Sequence, residues 1–284
     1  MGVTYIAGAV GYSETYASSL ACSSALNIAA GDVLVCFASW EVGSGGTLSC
    51  DDGGANSFTM EAESGDVDYN YCVFGCVLNA SANGSATVTF HQSTSRTYRS
   101  LAVMQFRPVA GSTVSKDAAD TAGGTGASET SPAIVTTGTD EMVVCGNKCW
   151  IAPTLTAAQI GGINALAQLD ASAFTSVWCR ILTAIESSLV GSGTGGASSW
   201  RCGIFSLKAA SDQFARPVSD VSVGGWTASS GTDRFAMVDE EAASDADYIT
   251  SGATPSNDEC VLALGAISTP AAGTVTLRVR MKYV

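Results

Sequence analysis

Histidine occurs once in this chain, at His91, and lysine and arginine together occur only 13 times in 284 residues. One imidazole allows at most one histidine general base. His91 closes an alternating segment beside Gln92 and Ser93, and no G-x-S-x-G turn presents a serine to it, so a surface position is expected. The 13 bases are outnumbered by 26 acids, giving a formal net charge of -13 and a pI near 4.3. Phosphate recognition needs clustered Lys and Arg, so no nucleic-acid partner is expected. There is no run of about eighteen apolar residues, and MGVTYIAGAV has neither a basic leader nor a cleavage site, so neither a membrane span nor a signal peptide is expected. Met1-Gly2 does not complete a myristoylation signal, because Ile6 stands where Ser or Thr is required. Long amphipathic helices are missing too. The nearest candidate, Ala157 to Leu169, is interrupted by Gly161 and Gly162.

What the chain has is a supply of short strands. Charged residues make up only 14%, and 31 glycines are spread through a background of Ser, Thr and Ala, a balance that favours strands joined by tight turns. Gly31 to Trp40, GDVLVCFASW, carries an acid in a turn and then an unbroken apolar run, the pattern of a strand buried on both faces. Thr139 to Trp150, TDEMVVCGNKCW, repeats it, with Cys145 answering Cys36. Tyr71 to Leu78 is answered by Val177 to Thr183, and Tyr98 to Phe106 by Trp200 to Leu207. The spacing between equivalent blocks shrinks from about 109 to about 102 residues along the repeat.

A chain of this length buries roughly three quarters of its unfolded surface and needs no covalent staples. The ten cysteines are therefore read as small buried hydrophobes in a reducing cytoplasm. Cys72 and Cys76, like Cys145 and Cys149, lie four residues apart. On a strand that places each pair on one face at about 13 Å, too far for a disulfide.

These signals predict an all-β protein. Residues 1–208 are expected to form a β-sandwich, jelly-roll-like, of two similar interleaved halves, because each half alone would leave an apolar sheet face exposed. Thr47 to Cys50 and Ser57 to Ala62 read as a hairpin-like pair. The small-residue stretch Ser112 to Ser131 reads as a surface crossover. Residues 209–215 read as a linker to a C-terminal β module, 216–284. That module has an acidic segment from Asp239 to Glu259. Its final strand alternates Val275, Leu277, Val279, Met281 and Tyr283 with Arg278, Arg280 and Lys282.

Other candidate sites read as structural. Gly191 to Gly196, GSGTGG, matches G-x-G-x-x-G but precedes a strand, where a pyrophosphate site needs a helix. Asp66, Asp68 and Asn70 match the start of a calcium loop whose glycine and closing glutamate are replaced by Tyr71 and Val77. Asp51-Asp52 and Asp245-Ala246-Asp247 are acids in turns. Trp40, Trp150 and Trp226 could line a sugar-binding face, although a tryptophan at a strand end is more often core. No catalytic, cofactor-binding or metal-binding residue is expected, and no cofactor.

Two stretches carry a resemblance. Gly31 to Glu41, Tyr71 to Phe74 and Tyr98 to Val103 resemble the strands of a β-sandwich domain common in tailed-phage structural proteins. Arg216-Pro217, Asp220-Val221-Ser222, Gly224-Gly225-Trp226-Thr227, Asp239-Glu240 and Asp245-Ala246-Asp247-Tyr248-Ile249 are similar to an RP-x-x-D-V-S-x-GGWT, DE, D-x-DYI pattern of phage virion proteins. The resemblance implies a non-enzymatic virion surface protein, assembled in the host cytoplasm. It would be a capsid decoration (cement) protein or a tail or head fibre or adhesin binding host glycan. Its implied partners are the major capsid protein or other virion proteins. The edge and apolar face of the final strand call for cover, either from the first module of the same chain or from further copies of the chain in a closed ring, a trimer. Decoration is favoured by the moderate size, the acidic charge and the lack of a coiled-coil or collagen-like shaft.

Overall fold

A computed structural model describes residues 3–41, 43, 46–65, 70–109, 112–138, 141–150, 156–172, 174–211, 216–238, 246–251 and 259–265. The chain divides into two units, Met1–Ser211 and Asp212–Val284. The protein is all-β and sandwich-like. Its one described helical turn is a short 3-10 turn at Phe235–Met237.

The first half of the larger unit holds β1 (Val3–Ser13), β2 (Ala17–Ala21), β3 (Leu26–Ile28), β4 (Val33–Glu41), β5 (Leu48–Asp51), β6 (Thr59–Gly65), β7 (Asn70–Val77), β8 (Gly84–Ala86), β9 (Thr89–Arg96) and β10 (Arg99–Pro108). The second holds β11 (Ser112–Thr130), β12 (Glu141–Cys149), β13 (Thr156–Ile160), β14 (Ile163–Asn164), β15 (Ala167–Ser172), β16 (Thr175–Leu182) and β17 (Gly191–Ser211). The first half builds a sheet in the order β1-β10-β4-β7-β6. The second builds one in the order β11-β17-β12-β16-β15, with β13 and β14 continuing from β17. These are the same arrangement strand for strand, so the sequence repeat is a repeat of topology.

Pairing fixes the correspondence residue by residue. Cys36 stands opposite Gly75 and Val103, and Cys145 opposite Trp178 and Ile204. The equivalences are therefore Cys36 with Cys145, Gly75 with Trp178 and Val103 with Ile204, at offsets of 109, 103 and 101 residues. The cysteine equivalence stands. The other two blocks, whose starts lie 106 and 102 residues apart in the sequence and whose ends lie 105 and 101 apart, take offsets of 103 and 101 in the structure. An odd slip moves a strand's side chains to the other face, and apolar strands buried on both faces give the sequence little to detect it with.

Each half keeps its strands in its own sheet, so the halves meet across a shared core and do not alternate strands within a sheet. Between the inner sheets, Val35, Phe37, Phe74, Met104 and Phe106 pack against Met142, Val144, Val177, Phe205 and Leu207. On the far side of the first sheet, the three-stranded β2-β9-β5 sheet and the β3-β8 pair cover Leu34, Cys36, Trp40 and Val103. On the far side of the second, Ile134, Leu189 and β13 cover Cys145, Trp178, Trp200 and Ile204. Every residue of β4 and of β12 is consequently buried, which is why their sequences do not alternate.

The halves also face each other reciprocally. Strand β1 lies across β15 and β6 across β11, while β7 meets β17 and β10 meets β16. Since β1 corresponds to β11, β6 to β15, β7 to β16 and β10 to β17, these four contacts fall into two pairs of counterparts, as in an isologous dimer joined into one chain.

Three sequence expectations change. Ser112 to Ser131 is no crossover but the 19-residue strand β11, the counterpart of β1. Its small residues leave room for side chains of β17, since a Cβ on Gly124 would meet the Trp200 ring at 2.6 Å. The doubtful helix at 157–169 is a hairpin, β13 and β14 joined by Gly161 (φ 60°) and Gly162 (φ 73°), a two-residue turn that needs left-handed backbone twice. The pair at 47–50 and 57–62 touches at Asp51 and Ser57 and then separates, β5 joining β9 and β6 joining β7 in a different layer. In addition, β17 runs to Ser211, so residues 209–211 are strand and not linker.

The smaller unit, described by itself, pairs β18 (Pro217–Ser222) with β21 (Val261–Leu264), and β19 (Thr227–Ala228) with β20 (Ile249–Thr250). The basic segment 274–284, expected from sequence to be its final strand, and the acidic residues 239–245 lie outside the described residues.

Candidate functional site

The polar groups that the fold treats most unusually are ionisable side chains buried at equivalent points of the two halves. Asp32 precedes β4 in a turn where Gly31 takes a φ of 83°. Its carboxylate is wholly buried and receives Ala29 N at 2.8 Å, Arg107 Nε at 2.7 Å, Arg107 Nη2 at 2.9 Å and the Gln105 amide. Burial alone would raise its pKa. The donors outweigh that, and the carboxyl is held below the usual range.

By the structural offsets, Asp32 corresponds to Glu141 and Arg107 to Lys208, and Glu141 and Lys208 are again directly opposed across two strands. The chemistry has diverged. Glu141 accepts Gly138 N at 2.6 Å and Thr137 N at 2.9 Å, while Lys208 is taken by Asp117 at 3.3 Å and by Thr137 Oγ1 at 2.9 Å. Glu141 Oε2 has no hydrogen-bond partner. Burial first, and then the neighbouring Asp117, push Glu141 up to about 7. Glu129 is a third buried acid, bonded by Asn147 Nδ2, whose own Oδ1 receives Ser176 N at 2.9 Å. Lys148 and Glu41 are buried together between the inner sheets.

Residues singled out from sequence are dispersed. His91 lies on β9 with Ser19 and Ser49 opposite it on either side. Its Nε2 is 3.2 Å from Asp51 Oδ2, with 42% and 38% of the two side chains exposed. Among the described residues no hydrogen bond joins His91 to either serine, so a serine, a histidine and an acid lie close together on an open sheet without a nucleophile–base contact. Asp51 and Asp52 form turns, accepting Gly53 N and Gly54 N at 2.9 Å each, and Asp52 also binds Asn56. Asp66, Asp68 and Asp245 lie outside the described residues. Asn70 begins β7 opposite Glu41. GSGTGG is the start of β17, paired with β11 and β13. Trp40 is core, stacked on Tyr71 and Phe90 with centroids 5.7 and 5.8 Å away, its Nε1 donating to Gly43 O. Trp150 is 40% exposed. Among the described residues no group of three or more His, Cys, Asp or Glu could hold a metal ion.

In the smaller unit, the motif residues organise their own turns. Asp220 accepts Arg234 N at 2.9 Å and Phe235 N at 2.7 Å, Arg234 Nε donates to Trp226 O at 3.0 Å, and Thr227 bonds Thr250 at 2.9 Å. Ser229 N donates to Tyr248 O at 2.8 Å and Ser229 Oγ to Ala246 O at 3.2 Å. None of its described residues is buried, and Val218, Val221, Val238, Tyr248, Val261 and Leu264 are exposed.

Sequence reasoning passed over the buried charges. A signal existed: an acid before each buried apolar run, and a base after each third block, at Arg107 and Lys208, in step with the repeat. The fold and these polar clusters define an all-β protein built from a duplicated sheet, with ionisable groups buried at matching points of its two halves. No family model, curated protein or solved structure matches the chain.

Proposed function

We propose that this is a non-enzymatic structural protein of a phage virion surface, a decoration protein that coats the head and assembles through its C-terminal module. The observation that carries the reading is the contrast between the units. The larger has three apolar clusters, whereas the described part of the smaller buries nothing and exposes six large apolar side chains. Two short two-stranded sheets do not make a stable fold alone, and open strand edges with apolar residues are surfaces that another chain covers. A closed ring of like copies, most plausibly a trimer, would cover each module equally. The sequence supplies complementary charge for it, with Arg278, Arg280 and Lys282 on one segment and acids from Asp239 to Asp247 on another.

Two buried acids, Asp32 and Asp52, support the non-enzymatic part of the reading, since each is saturated by internal donors. The test compares the full chain with one ending at Ser211. Light scattering should find the full chain oligomeric and the shortened chain folded but monomeric. Electron microscopy should find only the full chain bound to phage heads that lack it. Two equally monomeric chains that both decorate heads would remove the role assigned to the module, and density on the tail alone would remove the decoration reading.

A further inference from the structure

At one end of the core between the inner sheets, Lys148 of β12 and Glu41 of β4 point toward each other. Lys148 has 0% and Glu41 8% of its side chain exposed, and Nζ lies 3.9 Å from Oε1. The Phe174 ring sits over the amine, its centroid 5.1 Å away. Nζ has no hydrogen-bond partner. The nearby hydroxyls of Ser39 and Thr175 are bonded to each other at 2.9 Å. An ammonium kept from water with no acceptor is costly, and the cost is relieved when the group is neutral. Burial pushes Lys148 down to about 8 against the pull of Glu41, and burial raises Glu41 against the pull of Lys148. The enclosure thus works against the charged form of each group, and it holds an amine and a carboxyl, the reactants of an amide, side by side.

We propose that Lys148 and Glu41 join as an intramolecular amide cross-link fastening the two inner sheets. The Nζ lone pair attacks Cδ of the protonated Glu41 carboxyl, forming an N–C bond. The tetrahedral adduct then breaks one C–O bond, and the hydroxyl leaves as water with a proton surrendered by the nitrogen. Atoms balance with one water released, and no oxidant, reductant or cofactor enters. In water the same pair is unreactive because both groups ionise. Held together in a dry site, they have the high effective concentration of an intramolecular reaction. The bond would close a loop of roughly 100 residues, where a cross-link removes the most freedom from the unfolded chain.

Intact-mass measurement on the freshly purified full chain, after allowance for the initiator methionine, should find it one water lighter than its sequence. Lys148→Arg keeps the cation but cannot form the amide, and should have the full mass of its own sequence. A protease digest of the natural chain should yield one branched peptide joining the segments around residues 41 and 148, absent from the variant, and the natural chain should melt at the higher temperature. A natural chain at full sequence mass without the branched peptide overturns the proposal, whether or not the variant folds. That result would leave the assembly reading untouched, because the cross-link lies within one unit.

Discussion

Asp32 and Glu141 occupy the same point of the repeated sheet, yet they respond to pH in opposite senses. The Asp32 carboxyl is depressed in the folded state, so its contribution is present above the unfolded-state value and is lost as pH falls through the folded one. Asp32→Ala leaves the Ala29 amide without its acceptor and removes the partner of Arg107, and should cost about 2 kcal/mol or more in urea unfolding at pH 7. Glu141 is raised to about 7, so the stability linked to its proton is full below the unfolded-state value and is lost as pH rises through about 7. Glu141→Gln should accordingly stabilise the protein at pH 8 relative to its effect at pH 5, and flatten the pH dependence between them. An unchanged pH profile in that variant would show that Glu141 is not the titrating group. His91 is held by Asp51 on an open sheet, so His91→Ala should change stability by less than about 0.5 kcal/mol. The purified protein should show no ester, peptide or glycoside hydrolysis for that change to abolish.

At the scale of elements, the joint between the inner sheets is a pair of rings set into a pair of glycines. Phe37 and Phe74 stand opposite each other on β4 and β7, and Gly146 and Gly203 opposite each other on β12 and β17. A Cβ on Gly146 would come within 2.5 Å of the Phe37 ring, and one on Gly203 within 2.6 Å of the Phe74 ring. Phe74 also stacks on Phe205 at 5.7 Å. Gly146→Ala and Gly203→Ala should each destabilise by about 1–3 kcal/mol through overpacking. Phe37→Leu, costly alone, should offset part of the Gly146→Ala loss, and a double-mutant cycle measures that coupling. Simple additivity would mean that ring and glycine do not share the space. Legibility varied sharply among the strands. The doubly buried β4 and β12 are evident as apolar runs, whereas β11 reads as a surface crossover because its small residues carry little strand propensity. Backbone pairing with β17, and the room its glycines leave, hold it as a strand.

For the whole molecule, the layered cores bind the two halves into one cooperative body, because each inner sheet belongs to two apolar clusters at once. Nine cysteines are buried in those layers and Cys260 of the smaller unit is partly exposed. Burial pushes the thiols of Cys22, Cys72, Cys76 and Cys179 up to about 12, which leaves almost no thiolate at neutral pH. A thiol reagent should therefore label Cys260 alone in the native protein and the other nine in a single step through the urea transition. Stepwise labelling would mean that the halves unfold separately. The all-β class, the duplication, the Cys36–Cys145 equivalence and the shared faces of Cys72 with Cys76 and Cys145 with Cys149 follow from composition and from the period of apolar residues, which are local properties of a chain. Which half supplies each sheet, the register between equivalent strands, the burial of Asp32, Glu141 and Lys148, and the reciprocal seating of the halves were decided only in three dimensions. A strand with apolar residues on both faces fits its neighbours equally well after an odd slip. The choice is made by ring-into-glycine contacts and by polar pairs between residues some 70 to 140 positions apart, such as the Asp32–Arg107 ion pair and the Ser39–Thr175 hydrogen bond, which no local pattern encodes.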